Sequence, residues 1–145
     1  AILKRQSGGS YGELLWSDAL VWISARDFRL SPGLPVPLIT LAPPAITRAV
    51  ALEAFEHAGI GWQFVCTSGS QSGVHAAVAA GLGVAPHARS LVPSGLTIIR
   101  DGSLPTLPST EFALMTSRTA ARDPGRSLGA AIRSNVHQLR GTAQD

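Results

Sequence analysis

Between Thr67 and Gly83 the chain joins a hydroxyl-rich loop to a run of very small side chains, and few folds accommodate that pairing. Thr67-Ser68-Gly69-Ser70-Gln71-Ser72-Gly73 leads directly into Val74-His75-Ala76-Ala77-Val78-Ala79-Ala80-Gly81-Leu82-Gly83. Alanine is the strongest helix former, Ser70 or a neighbour is a suitable N-cap, and Gly81 is a suitable stop. A helix this thin, carrying Gly73, can lie very close to a sheet. Its first turn offers unpaired N–H groups and the positive end of the helix dipole. Thr67, Ser68, Ser70 and Ser72 ring that turn, more hydroxyls than a single cap requires. The combination suits the carboxylate or other polar head of a small molecule. It is not in itself a catalytic machine.

The surrounding pattern places this helix in an α/β unit. Ala19–Ser24 is a short apolar run that predicts a buried strand, and 26–35, with Ser31, Pro32 and Gly33, predicts a loop. Val36–Leu41 predicts the next strand. After Pro43-Pro44, which suits a helix start, Ile46, Val50, Ala54 and Ala58 fall at helical spacing with Phe55 beside them, and Gly59 ends the helix. Gly61–Thr67 predicts a strand, 71–80 the small-residue helix, and Val84-Ala85 a further short strand. That alternation argues for βαβ units and a parallel sheet with helices on its faces. Beyond Pro86 the pattern loosens. Gly95–Ile99 predicts an edge strand, 101–109 a proline-rich turn region, and Glu111–Ser117 a half-buried strand. Leu128, Ala131, Ile132, Val136 and Leu139 share one face of a final helix over Ser127–Leu139.

Composition narrows the class. With 145 residues and 45% hydrophobic residues, the chain supports one domain with a real core, or one domain and part of another. No run approaches the roughly 18 apolar residues of a membrane span, so no membrane partner is expected. Ala1-Ile2-Leu3-Lys4-Arg5 lacks the order of a signal peptide. The single cysteine, Cys66, excludes an internal disulfide and suits a reducing compartment, so a cytoplasmic location is expected. A net charge of +3, carried by scattered arginines, argues against direct nucleic-acid contact by this segment. Ala1-Ile2-Leu3 reads as the tail of a buried strand, and the chain is expected to be a fragment of a longer protein.

Other candidate chemistry is weaker. In Gly69-Ser70-Gln71-Ser72-Gly73 the apex that a nucleophile elbow reserves for serine is Gln71, and glutamine cannot attack a carbonyl. His75, His87 and Asp101 leave a triad open, but a serine hydrolase is the minor reading and no catalytic residue is assigned. His57, His75, His87, His137 and Cys66 show no recognised ligand spacing, so no metal is expected. Gly81-Leu82-Gly83 lacks the rest of a P-loop or a dinucleotide fingerprint, and no cofactor is expected. Pro43-Pro44-Ala45-Ile46-Thr47-Arg48 is a second helix start after a strand. By topology it opens on the same sheet edge as the Thr67 loop, where ligands of α/β sheets bind. Thr47 and Arg48 are candidates to join the same ligand.

These residues resemble the effector-binding domain of LysR-type transcriptional regulators. The resemblance rests on Ala76-Ala77-Val78-Ala79-Ala80-Gly81-Leu82-Gly83-Val84-Ala85-Pro86 behind a Ser-capped loop. The ordered context supports it: Leu20-Val21-Trp22-Ile23, Pro37-Leu38-Ile39, Ala58-Gly59-Ile60, Ser94-Gly95-Leu96 and Leu104-Pro105. It implies a type 2 periplasmic-binding-protein-like α/β fold, a parallel or mixed sheet with helices on both faces, with one subdomain complete and the other partly represented. Residues 1–16 would end the first subdomain and enter a crossing strand, 17–109 would form the second subdomain, and 110–145 the return crossing and the C-terminal helix. That helix's apolar face would be exposed or covered by another chain. The implied function is a non-enzymatic sensor, binding a small-molecule effector, for which an anion is suited, in an interdomain cleft. Promoter DNA would be engaged through a winged helix-turn-helix absent here, in a homo-oligomer, dimer or tetramer. Carried onto this chain, effector-binding residues are Thr67, Ser68, Gly69 and Ser70, with Pro43, Pro44 and Ala45; Tyr11 and Trp62 are candidate aromatic walls. A solute-binding protein of the same fold is the alternative.

Overall fold

The computed structural model of the chain describes residues 1–116 and 123–139. In chain order it contains β1 (Ile2–Gln6), β2 (Glu13–Ala25), β3 (Val36–Leu41), α1 (Ile46–Ala58), β4 (Trp62–Ser68) and α2 (Gln71–Ala79). There follow β5 (Ala85–Ala88), a 3-10 turn (Arg89–Leu91), β6 (Leu96–Ile98), β7 (Ser109–Leu114), α3 (Asp123–Ser134) and α4 (Val136–Leu139). The expected strand at Val36–Leu41 and the helices after Pro44 and Ser70 all form.

The heart of the fold is the βαβ unit. β3 and β4 are parallel, from Val36 opposite Trp62 to Leu41 opposite Ser68. On its other edge β3 takes a parallel bridge between Leu38 and Val84. Successive residues of a strand point to opposite faces, and β3 divides the core accordingly. Leu38 joins Trp22, Val50, Ala51 and Phe55 under α1. Ile39 joins Ile23, Val74, Ala77, Val78 and Ala85 under α2. Helices therefore cover both faces. The buried stripe of α1 is Thr47, Val50, Ala51 and Phe55; Ala58, expected on it, is exposed because the stripe drifts around the helix. Gly59 closes α1 in the left-handed conformation, φ 65°, its N–H donating to the Glu56 carbonyl while Ile60 donates to Phe55.

The remaining strands run antiparallel, a feature that local pattern did not disclose. β7 lies between β1 and β2 and is antiparallel to both. β2 then continues to pair antiparallel with β5 and β6. The strand expected at Ala19–Ser24 is thus the inner half of a longer one beginning at Glu13. Asp18 interrupts the apolar run, yet it is buried, accepting from the backbone N–H and the hydroxyl of Ser90. Val84 makes only the bridge, and the strand expected there forms as Ala85–Ala88 instead. Ile2 and Leu3 are on a strand but exposed, not buried. Their strand is an edge with β7 on one side only.

β7 spans Ser109–Leu114, and Ser117 of the expected strand lies outside the described residues. The final helix is broken at Asn135, whose side-chain amide donates to the Ala131 carbonyl at 2.8 Å. Such side-chain bonds compete with helix continuation. On the apolar face expected of this helix Leu128 is 63% exposed, while Ile132 and Val136 are half-buried. Arg133 of α3 pairs with Glu13 at 2.8 Å in solvent, a contact that contributes little.

Candidate functional site

The candidate site grows from the parallel pair. Leu41 is opposite Ser68, and the Ala42 N–H donates to the Ser68 carbonyl at 2.7 Å. Pro43–Ala45 and Gly69–Ser70 therefore leave the sheet side by side, at the carboxyl ends of β3 and β4. Each leads into a helix. α1 starts from Ala45 with no side-chain cap, and among the described residues the N–H groups of Ile46, Thr47 and Arg48 meet no acceptor. In α2 the same holds for Gln71 and Ser72. Two positive helix ends thus open on one edge.

The serines prepare the α2 side. Ser70 Oγ accepts from the Gly73 N–H at 3.2 Å, the cap the sequence suggested. Ser68 Oγ accepts from the Ser70 N–H at 3.2 Å and lies so close to Gly73 that a Cβ there would overlap it. Both hydroxyls keep a proton free to donate outward. Thr67, the preceding residue of β4, is exposed. On the α1 side Pro43, Pro44, Ala45, Arg48, Leu52 and Gln6 are among the residues lining an open pocket of about 410 Å³. Thr67, Ser68, Gly69 and Ser70 border the edge but do not line that pocket.

Other candidates separate. Thr47 is buried under α1 and offers no hydroxyl to the edge. Arg48 lies over the Phe64 ring, 4.2 Å from its centroid, and donates to Thr40 Oγ1 at 2.9 Å. Trp62 is corrected outright. It begins β4, at the opposite end from Ser68, and stacks on Phe55 with centroids 5.8 Å apart. The strand's length carries it away from the loop. Tyr11 sits in the β1–β2 turn beside the Arg5 guanidinium.

Two polar clusters escaped sequence reading. On the crossing strands Arg5 and Glu111 form a buried ion pair at 2.8 Å. The Gly8 N–H bond and then the Arg5 bond hold the Glu111 carboxyl below its usual range. Nearby, Lys4 lies 5.5 Å from the Phe112 centroid, and burial lowers its pKa. The second cluster joins α2 to β5: His75 Nε2 and His87 Nε2 are 2.8 Å apart, and Gln71 Nε2 is 3.1 Å from His75 Nε2. The i, i+4 spacing of Gln71 and His75 was the available signal, but only the fold brings up His87. Among the described residues neither ring bonds a serine hydroxyl, and no group of three or more His, Cys, Asp or Glu is placed to hold a metal.

The sequence and the fold have counterparts among known proteins. The family model described as the LysR substrate binding domain matches residues 3–144. The HTH-type transcriptional regulator PecT of Dickeya dadantii (strain 3937) is 30% identical over 124 residues, 85% of this chain. The chain spans only 39% of the length of that curated relative. Among solved structures, the regulatory domain of CcmR from Synechocystis PCC6803, in complex with 2-PG, superposes with a TM-score of 0.61 at 15% identity, covering 92% of this chain and 72% of that one. The effector binding domain of QuiR, in complex with shikimate, gives 0.59 at 11% identity, covering 97% and 73%. At such identities these structures share the fold. A match over nearly every residue, with the fold to accompany it, makes this chain a member of the LysR substrate-binding-domain family, the effector-binding part of LysR-type transcriptional regulators.

Proposed function

We propose that the shared edge of β3 and β4 is the effector seat, with Thr67, Ser68, Gly69 and Ser70 on one side and Pro43, Pro44 and Ala45 on the other. The observation that carries this reading is the convergence of two helix starts with free N–H groups on adjacent parallel strands. Their positive ends and the serine hydroxyls favour an anionic effector. QuiR in complex with shikimate, a carboxylate, supports that class. Residues 1–16 end a first subdomain, 17–109 form the second, and 110–145 return to the first. β2 runs unbroken across the first of these boundaries, as a crossing strand would. The exposed face of α3 then meets the first subdomain or another chain. The effector shifts the subdomain arrangement only by its difference in affinity for the competing states. In the whole regulator that shift re-spaces DNA-binding domains in a cytoplasmic homo-oligomer, dimer or tetramer. PecT, an HTH-type regulator, supports the DNA partner, and no described helix is long and apolar enough to cross a membrane.

The test is calorimetric titration of the regulator with small carboxylates. Thr67→Val removes an exposed hydroxyl and is expected to change stability by no more than about 0.5 kcal/mol while weakening binding about tenfold. Gly73→Ala is expected to weaken it too, by displacing the Ser68 hydroxyl. Unchanged affinity in both variants would remove the seat from this edge.

A further inference from the structure

The His75–His87 contact has a geometry that limits what it can hold. The Nε2 atoms are 2.8 Å apart and the ring centroids 5.0 Å apart, so the rings meet nearly tip to tip. A metal between them would need the rings to converge at an angle, with more space between the nitrogens. Tip-to-tip rings make a hydrogen bond. His87 Nδ1 is 2.8 Å from the Ala88 carbonyl oxygen, which can only accept, so Nδ1 carries a proton. In the neutral pair His87 Nε2 is then the acceptor and His75 donates its Nε2–H.

One added proton preserves this bond. The incoming proton enters at His75 Nδ1 and the shared proton passes from His75 Nε2 to His87 Nε2, so that His87 donates at both nitrogens and His75 Nε2 accepts. Gln71 Nε2 lies 3.1 Å from the same His75 nitrogen, whose one lone pair or one N–H is engaged by His87 in either form, so Gln71 marks the side of the pair that faces the start of α2. A second proton would set N–H against N–H, and the contact would break. The pair therefore holds one proton and excludes two.

We propose that this pair takes up a single proton when an anionic effector binds beside Gln71 at the start of α2, so that such effectors bind more tightly as pH falls. This rests on the effector seat argued above. In the free protein burial is the largest cause holding both rings below the ordinary histidine value. For His87 the Ala88 bond opposes this, His75 and Lys4 of β1 add to it, and Asp18 of β2 opposes it. α2 also packs on β3, which has no titratable side chain, and on β4, where Cys66 is the titratable one. Histidines held low leave the unfolded chain binding more protons as pH falls. The free protein's stability is therefore intact above about pH 6.5 and declines below it. A bound anion opposes that decline by favouring the charged pair, and linkage makes the effect reciprocal.

The experiment has two arms on the regulator as it exists. Nitrogen-detected NMR titration of the histidine rings is expected to show one proton entering the pair below the usual histidine range, with the second excluded until the contact opens. Two independent protonations near pH 6.5 would overturn the proposal. Calorimetry with shikimate and with benzoate, in buffers of different ionisation enthalpy, is expected to show uptake of up to one proton. Affinity should rise by at most about tenfold per pH unit lowered. His87→Leu and the half-exposed His75→Ala are each expected to abolish the uptake; uptake unchanged in either contradicts the pair's role. Carboxylates that bind without proton uptake sink the linkage and leave the seat standing. Failure of both carboxylates to bind at any pH sinks the seat and the linkage with it, while the ring titration still decides the proton count.

Discussion

Phe55→Ala is expected to lower the free energy of unfolding by about 3–5 kcal/mol. Phe55 is 0% exposed and sits between Trp22, with centroids 4.9 Å apart, and Trp62, at 5.8 Å. It thereby ties α1 to β2 and β4 together. Deleting the ring removes its transfer energy and leaves a cavity that two rigid indoles on separate strands cannot collapse to fill. Urea denaturation followed by tryptophan fluorescence reads the change from the affected residues themselves. A loss below about 1 kcal/mol would mean the ring is not packed at this junction.

Gly83→Ala is expected to cost about 3 kcal/mol, or to prevent folding. A Cβ at this position would overlap the Pro37 carbonyl oxygen of β3, and backbone cannot swing aside as a flexible side chain can. The same approach carries the bonds from Val84 N–H to Pro37 at 2.9 Å and from Ile39 N–H to Val84 at 2.8 Å. These stitch the parallel unit to β5 and hence to β2. Thermal melting with hydrogen exchange at Ile39 and Val84 tests this. Wild-type melting and wild-type protection would show that the chains do not approach so closely.

What sequence revealed was local. Val36–Leu41 is bounded by prolines on either side, Gly59 stops a helix, and Ser70 caps one; each signal acts within a few residues of itself. What sequence concealed was pairing at a distance. Arg5 and Glu111 are separated by 106 positions, and His75 and His87 by 12. Sheet register makes the first contact, setting Arg5 of β1 opposite Glu111 of β7, and the placement of α2 beside β5 makes the second. Trp62 was misplaced because a strand has two ends and composition does not say which faces a ligand. The outer half of β2 was missed because Asp18 looks like a solvated residue until Ser90 is brought against it. The candidate seat was read from one loop. Its second half follows from topology, and the fold juxtaposes the two.

The family match favours the regulator over the solute-binding and hydrolase alternatives. It leaves the position of the effector to be measured. Amide mapping by ¹⁵N–¹H NMR during titration with shikimate tests that position most directly. The expected result is a set of shifts centred on Ala45–Arg48 and Ser68–Ser72, where free N–H groups of α1 and α2 open at the carboxyl ends of β3 and β4. Saturable shifts clustered elsewhere, with both of these turns unmoved, would contradict it.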